Sequence, residues 1–276
     1  MDLSANTSLA GIADAVASVL VAASRAGCQV YIAGALARDL WLEFGHGVAT
    51  GRRTADIDFA VQCADWATFE RLAQELVEMT LRRNDRVQHR FRHSNGTDID
   101  LIPFGGIEGT NRELAWPPDG NPVLSVLGFS EVAHHTVDFV LPGGVTVPVV
   151  SLQALAVLKL LAFGSRPAPV GKKDADDLVL ICEHYLEVRE PRLPIEDEEV
   201  LLQRNEFVTS NASAELLGRD MAAFASEEVR EFISRILERE CDPEGPLNLA
   251  RSRSGADPLA HLGLVSALRY GFLLAI

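Results

Sequence analysis

The spacing of hydrophobic residues changes near residue 150, and this change limits the folds open to the chain. Before it, short apolar segments typical of strands alternate with helical stretches, whereas from Ser151 onward the spacing is helical almost throughout. This order predicts an α+β fold, with a mixed-sheet α/β domain over residues 1–150 and an all-helical domain over residues 151–276. The 276 residues, 47% hydrophobic and 23% charged, suit one large globular domain or two modest ones.

Turn residues and alternating patterns indicate the elements of each half. Gly27 is expected to end the first helix, and Gly34 to separate a strand from a second helix. Ser94-Asn95-Gly96 and Pro142-Gly143-Gly144 predict the turns of two hairpins. The predicted helices cover residues 8–26, 35–44, 66–81, 152–163 and 173–185, and the predicted strands cover 29–33, 57–61, 87–93, 98–103, 136–141 and 145–150.

The N-terminal residues and the cysteines bear on the cellular compartment. No basic segment precedes an apolar stretch at the N-terminus, and the apolar run 152–163 is too short to span a bilayer. We therefore expect a cytoplasmic protein with no membrane partner. The four cysteines lie far apart without a Cys-x-x-Cys pair, which predicts isolated buried thiols.

The formal charge of −14 argues against a large nucleic-acid-coating surface. Residues 1–176 carry 15 Lys and Arg against 20 Asp and Glu, and residues 177–276 carry 10 Lys and Arg against 19 Asp and Glu. Because the first part of the chain is less acidic, we expect any polyanion to bind there. The densest basic run covers residues 82–93, where Arg86, Arg90 and Arg92 would share one strand face. This run fits a solvated face and a contact with an RNA backbone equally well.

Asp56 and Asp58 are the residues most indicative of chemistry. Because they lie two apart on a predicted strand, both carboxylates face one side, while Ile57 and Phe59 face the core. Like charges at this spacing repel, and burying them is costly unless a cation bridges them. Divalent Mg²⁺ takes oxygen ligands and keeps phosphate oxygens in its shell. An Asp-x-Asp pair alone also fits a solvated strand edge.

Residues around this pair favour a nucleotide site. Gly34 ends a strand and opens a helix, where backbone N–H groups and the helix dipole hold phosphate. Arg52, Arg53 and Thr54 offer guanidinium and hydroxyl groups suited to a triphosphate. Asp100, on a neighbouring strand candidate, would complete the metal site or accept the proton of an attacking hydroxyl.

The order of these motifs resembles the polymerase-β nucleotidyltransferase superfamily. More narrowly, the chain is similar to the AbiEii/AbiGii toxin family and its MenT-type relatives, over residues 28–186 at least. The motifs that carry this likeness are Arg52-x-Thr54-x-Asp56-Ile57-Asp58, Lys159 in Leu-Lys-Leu-Leu-Ala, Lys173-Asp174-x-x-Asp177-Leu178, residues 103–108 and residues 116–120.

The resemblance implies a metal-dependent enzyme that moves a nucleoside monophosphate from an NTP to an acceptor, as the toxin of a toxin–antitoxin or abortive-infection system. In the MenT-type relatives the acceptor is the 3′ end of tRNA, so NTP, tRNA and an antitoxin are the implied partners. The helical domain is expected to complete the active-site cleft. Transferred residue by residue, the implied roles are metal binding with Mg²⁺ or Mn²⁺ (Asp56, Asp58, Asp100), nucleotide binding (Gly34, Arg52, Thr54, Lys173) and catalysis (Asp56, Asp58, Asp100, Lys159, Asp174), with Arg166 and Asp177 as further transfers.

Lys159 and Asp174 also have structural explanations. A lysine in an otherwise apolar helix can extend its ammonium group to solvent, and an acid near a helix N-terminus is stabilised by the dipole. In the functional alternative, Lys159 neutralises charge on the transferred phosphate.

Ala35 departs from the superfamily pattern, which often places Gly or Ser after the motif glycine. Without a hydroxyl there, backbone donors would have to hold the phosphates. Two other functions stay open. In the first, which the modest basic content favours, the acceptor is a protein side chain or a small-molecule hydroxyl. In the second, which Ala35 alone favours, the chain is a catalytically silent binding module.

Overall fold

The chain forms two compact units, Met1–Ser151 and Leu152–Ile276. The computed structural model describes residues 1–52, 54, 56–118, 120–121, 123–166, 170–252 and 258–274. Within the described residues, the first unit combines helices with a central sheet and the second contains helices alone. The predicted α+β fold, with a helical second half, is therefore confirmed.

A mixed seven-stranded sheet forms the centre of the first unit, in the order β3-β4-β5-β2-β1-β9-β8. Strand β1 pairs antiparallel with β2 and parallel with β9, and β2 pairs parallel with β5. Strands β4–β5 and β8–β9 are antiparallel pairs. The strands are β1 (Gln29–Ala33), β2 (Asp56–Cys63), β3 (Arg82–Arg83), β4 (Arg90–Arg92), β5 (Asp98–Gly105), β8 (Thr136–Leu141) and β9 (Val145–Val150), with β6 (Glu113–Ala115) and β7 (Val123–Ser125) forming a separate ribbon.

The helices of the first unit begin and end where local chemistry favours it. Helix α1 (Ala10–Ala26) ends at Gly27, whose φ of +76° lets its N–H reach the carbonyls of the last turn. Helix α3 (Trp66–Glu78) begins after Asp65, whose carboxylate accepts from the Thr68 N–H at 2.7 Å. Helices α2 (Gly34–Asp39) and α4 (Phe129–Val132) are short, and α2 continues into a π-helical turn over Leu40–Gly45.

The second unit is built from helices alone in its described part. Helix α5 is apolar on nearly all sides and is buried accordingly. Helices α8 and α10 cross closely at two glycines, Gly218 and Gly271. The helices are α5 (Leu152–Ser165), α6 (Lys172–Val188), α7 (Ile195–Arg204), α8 (Thr209–Ala222), α9 (Glu227–Cys241) and α10 (Pro258–Leu274).

The expectation of isolated thiols is wrong for one pair. Cys28 directly precedes β1 and Cys63 ends β2, and the antiparallel register of these strands brings the two Sγ atoms to 3.9 Å. Both are buried free thiols. Their separation in sequence concealed a contact that only the strand register creates.

The stretch Thr7–Ala26 is long and apolar enough to cross a membrane, with 20 residues and a mean hydropathy of 1.6. Length and composition alone are weak evidence for such a role, because a core helix of a globular protein has the same properties. Here Val16 and Val19 are completely buried, and α1 packs against α3 and the sheet.

Candidate active site

Two rows of charged side chains lie on one face of the sheet. The parallel register of β2 and β5 sets Asp56 opposite Asp98 and Asp58 opposite Asp100. Strand β4 continues both rows with Arg92 and Arg90. Because paired residues on neighbouring strands project to the same side, these six side chains share what we call the charged face (Asp56, Asp58, Asp98, Asp100, Arg90 and Arg92).

Gly34 makes room for the Asp58 carboxylate. A β-carbon on residue 34 would overlap with Oδ2 of Asp58 and would lie 2.6 Å from its Cγ. The φ of Gly34, +66°, is in the left-handed region that side-chain-bearing residues avoid. Glycine is thus required at this position for space and for backbone conformation, a requirement the sequence indicated only as a strand-to-helix turn.

Arg90 is the main counter-charge of the carboxylates. Its Nε and Nη2 donate to the two oxygens of Asp100 at 2.7 and 2.6 Å, and Nη2 lies 3.7 Å from Asp56 Oδ2. The hydrogen bond with Asp100 is the main cause that raises the pKa of Arg90 further above its ordinary value. One half-buried guanidinium therefore links two of the three predicted metal-binding carboxylates.

The second row is held by a similar pair nearer to solvent. Arg92 donates to both oxygens of Asp98 at 2.6 and 2.7 Å, and this contact lowers the pKa of the Asp98 carboxyl. Because Arg92 is largely exposed, water screens this pair and it contributes little to stability.

The segment before β2 is tied to the carboxylates and to α2. Thr54 donates its hydroxyl to Asp56 Oδ1 at 2.8 Å, which orients that carboxylate. Arg38 donates to the backbone carbonyl of Arg52 at 3.2 Å. Three residues predicted to bind nucleotide thus lie in segments that contact or adjoin Asp56 and Asp58, namely Gly34, Arg52 and Thr54.

The donor chemistry of Asp56 and Asp58 fits a hard divalent cation, since both present carboxylate oxygens on one face. The described residues contain no group of three or more His, Cys, Asp or Glu side chains arranged to hold a metal ion. Both oxygens of Asp100 accept hydrogen bonds from Arg90. Magnesium sites commonly use one or two carboxylates and complete their shell with water and substrate phosphates, so two ligands suffice.

A second charged cluster lies inside the helical unit. Lys159 of α5 is buried, with its Nζ 2.7 Å from Asp177 Oδ2 and 3.2 Å from Asp174 Oδ1, both on α6. Arg166 lies 2.6 Å from Asp174 Oδ2. The Lys159 ammonium group is therefore neutralised by two carboxylates, which accounts for its burial, and it does not extend to solvent. Lys173, which lies on α6 beside Asp174, is exposed.

Two charged residues that sequence reasoning did not single out are Arg38 and Asp39. Both are almost fully buried on α2, where Arg38 Nε donates to Asp39 Oδ1 at 2.8 Å. Burial raises the pKa of Asp39, and the Arg38 guanidinium opposes that shift. Adjacent opposite charges inside an apolar helix were a signal available in the sequence.

Arg53 and Asp119, which belong to the motifs of the family resemblance, lie outside the described residues.

Comparisons with known proteins give weak similarities. No protein-family model matches the chain, and no curated protein matches it. Similar solved structures include the antibiotic-resistance factor ANT(2'')-Ia in solution, with 17% identity, 63% of this chain and 83% of that chain covered, and a TM-score of 0.37. An antigenic nucleotidyltransferase-like protein from Paracoccidioides brasiliensis has 14% identity, 70% and 89% coverage and a TM-score of 0.40.

A CCA-adding enzyme in complex with ATP has 14% identity, 96% and 81% coverage and a TM-score of 0.26. At these identities and TM-scores, none of the three structures supports an argument about the fold or activity of this chain. The chain is therefore not assigned to a family, and the charged face is the feature that indicates its function.

Proposed function

We propose that this protein is a nucleotidyltransferase that moves a nucleoside monophosphate from an NTP to an acceptor hydroxyl, with residues 1–150 as the transferase domain. The observation that carries this proposal is the register that sets Asp58 beside Asp100, with the Asp58 carboxylate against Gly34. Carboxylates that share one face next to a strand–glycine–helix turn fit the binding of a phosphate-bearing substrate and its cation.

The proposed reaction is an in-line displacement at the α-phosphorus of the NTP. The acceptor oxygen forms a bond to the α-phosphorus while the bond from that atom to the bridging oxygen breaks, and pyrophosphate leaves. Asp100 takes up the proton of the acceptor hydroxyl, which requires Arg90 to release one of its two hydrogen bonds to that carboxylate. Mg²⁺ or Mn²⁺, when bound at Asp56 and Asp58, supplies charge neutralisation at the phosphate oxygens.

The remaining site residues have supporting roles in this proposal. Thr54 orients Asp56 through its hydroxyl, and Arg52 contributes to nucleotide binding. Roles for Lys159, Asp174 and Lys173 near the nucleotide, and a cleft completed by residues 151–276, rest on the sequence resemblance alone. For the role of Lys159, its ammonium group has to exchange one of its two carboxylate partners for a phosphate of the nucleotide.

We further propose the 3′ end of tRNA as the acceptor and a toxin role in the cytoplasm, controlled by an antitoxin. These details rest on the resemblance to the AbiEii/AbiGii family.

A label-transfer assay tests the proposal. The wild-type protein, Asp58→Ala and the control Asp138→Ala are each incubated with Mg²⁺, one of four α-labelled NTPs, and cellular tRNA or total protein. Asp138 is an exposed strand aspartate of β8, outside the charged face, and its replacement removes the same charge.

We expect Asp58→Ala to lower transfer by about 10²–10³-fold or more, because a ligand of the phosphate-neutralising cation is lost. Asp138→Ala should retain full transfer. The thermal unfolding temperature of Asp58→Ala should be unchanged or higher, since like-charge repulsion is relieved.

Each outcome identifies an acceptor class or rejects the proposal. Label on tRNA that is lost in Asp58→Ala supports an RNA-directed transferase, and label on protein moves the acceptor to a side chain. NTP binding without label on either acceptor favours a small-molecule hydroxyl or a silent binding module. Transfer by Asp58→Ala at the wild-type rate would contradict the mechanism.

A further inference from the structure

A concave basic surface lies at the β3–β4 edge of the sheet, beside the charged face. Its cavity has a volume of about 450 Å³, and five arginines line it: Arg82, Arg83, Arg86, Arg90 and Arg92. We call it the arginine pocket. Its acidic lining residues are Asp85 and Asp98. In a chain with a net charge of −14, this local excess of guanidinium groups requires an explanation.

Three of the five arginines already have carboxylate partners. Arg83 binds Glu70 through two hydrogen bonds of 2.7 and 2.9 Å, and Arg90 and Arg92 bind their partners on β5. Arg82 and Arg86 are exposed, and neither forms an ion pair among the described residues. These two guanidinium groups are therefore available to an anion from outside the protein.

The register connects the arginine pocket to the candidate active site. Arg82 is opposite Arg92, Arg92 is opposite Asp98, and Asp98 is opposite Asp56. With neighbouring strands about 4.8 Å apart, this row extends roughly 14 Å from the catalytic carboxylates to the edge of the sheet. One face thus presents carboxylates at its centre and guanidinium groups at its rim.

We propose that the arginine pocket binds the phosphodiester backbone of a polynucleotide acceptor, a few nucleotides from the hydroxyl that receives the NMP. This inference rests on the proposed function. A donor triphosphate has to reach Asp56 and Asp58, and the roughly 14 Å to Arg82 is too far for the same phosphates to contact both. The pocket aromatic Phe91 is completely buried, so contacts here are made to phosphates and carry no base preference.

The test compares two double variants that remove the same charge. Arg82→Ala/Arg86→Ala removes the two guanidinium groups that form no ion pair with any described residue, and Arg192→Ala/Arg251→Ala removes two exposed arginines of the helical unit. Fluorescence anisotropy measures the binding of a fluorescein-labelled tRNA transcript across a range of salt concentrations. Calorimetry with ATP and Mg²⁺ measures binding of the donor.

We expect Arg82→Ala/Arg86→Ala to weaken tRNA binding by about tenfold or more and to lower the slope of log K against log salt by about 1.4 to 1.8. ATP binding should be unchanged, and the control variant should match the wild type in both measurements. In label transfer, the KM for tRNA should rise while the KM for NTP stays constant.

Two results would overturn the inference. Equal tRNA affinity and salt slope in the two double variants would mean that the arginine pocket is only a solvated face. Loss of ATP binding in Arg82→Ala/Arg86→Ala would mean that it holds the donor. The binding measurement needs no turnover, so it separates this inference from the proposed function. Wild type that binds tRNA through these arginines but transfers no label to it would reject transfer to tRNA and retain the docking surface.

Discussion

The carboxylate of Asp58 fills the space that a side chain of residue 34 would need. In Gly34→Ala the new methyl group lies 2.8 Å from Cβ of Asp58, and the φ of +66° adds backbone strain of about 1–3 kcal/mol. We expect the carboxylate to shift by about 1 Å and transfer to fall about 100-fold, because such a misplacement of a catalytic group costs that much. Label transfer and thermal unfolding measure the two effects.

Gly27 offers a matched control for this substitution. Its φ is +76°, and a β-carbon built there has no atom within 4 Å. Gly27→Ala should lower stability through backbone strain alone and leave transfer at the wild-type level. If both alanine variants lost transfer equally, or neither did, contact between residue 34 and Asp58 would not position the carboxylate.

At the residue scale, short-range sequence patterns predicted which side chains share a face of the sheet. They did not predict how deeply a side chain is buried. The two-residue spacing of Asp56 and Asp58 predicted a shared face, because a strand alternates sides regardless of its neighbours. The pairing of Arg90 with Asp100 was also within reach, since a turn centred on Asn95 sets residue 90 opposite residue 100. Whether Lys159 extends to solvent depended on α6, which no local pattern reveals.

At the element scale, helices α8 and α10 approach closely because two glycines leave their backbones uncovered. A β-carbon on Gly271 would overlap with the Glu215 carbonyl oxygen, and one on Gly218 would lie 2.7 Å from the Phe272 nitrogen. In Gly271→Ala, better helix propensity contributes up to about 1 kcal/mol, whereas overpacking costs about 1–3 kcal/mol or more. We expect net destabilisation, measured by urea unfolding.

Gly263, on the same helix, provides the control for that change. A β-carbon there meets its nearest neighbour, the Asn211 side chain, at 3.5 Å, an ordinary contact. Gly263→Ala should therefore gain helix propensity without strain and stabilise the protein by about 0.5–1 kcal/mol. An equal gain in Gly271→Ala would show that the α8–α10 crossing tolerates a side chain and that the close approach has no energetic role.

Turn chemistry explains which elements could be predicted. The hairpins β4–β5 and β8–β9 form where Ser94-Asn95-Gly96 and Pro142-Gly143-Gly144 predicted turns. The β6–β7 ribbon was missed because its strands have three residues each, too few to show alternation. The π-helical turn over Leu40–Gly45 was predicted as part of an ordinary helix, since both forms show similar apolar spacing.

At the scale of the whole molecule, the acidic composition and the basic edge of the sheet are compatible. The excess of Asp and Glu is greater in residues 177–276, whereas the arginine pocket lies in the first unit. A field of this kind repels a polyanion from most of the surface and attracts it at one edge.

The change of hydrophobic period near residue 150 predicted the two fold classes because helix and strand periods differ for any tertiary arrangement. The strand order needed tertiary contacts, which local spacing does not contain.

The pH dependence of stability should depend partly on His89, which lies against Trp116 with ring centroids 5.4 Å apart. Burial lowers the pKa of His89 below its ordinary value of 6.5, and the Asp100 carboxylate offsets part of this shift. Below pH 6.5 the unfolded chain therefore binds more protons at this residue than the folded protein, so stability falls as the pH decreases towards the folded pKa. Urea midpoints between pH 8 and pH 5 should fall less in His89→Gln than in wild type. His184→Gln, which removes a partly exposed imidazole beside Glu187, provides the control for the loss of a histidine. An equal fall in all three proteins would mean that His89 takes up protons as readily in the folded state as in the unfolded one.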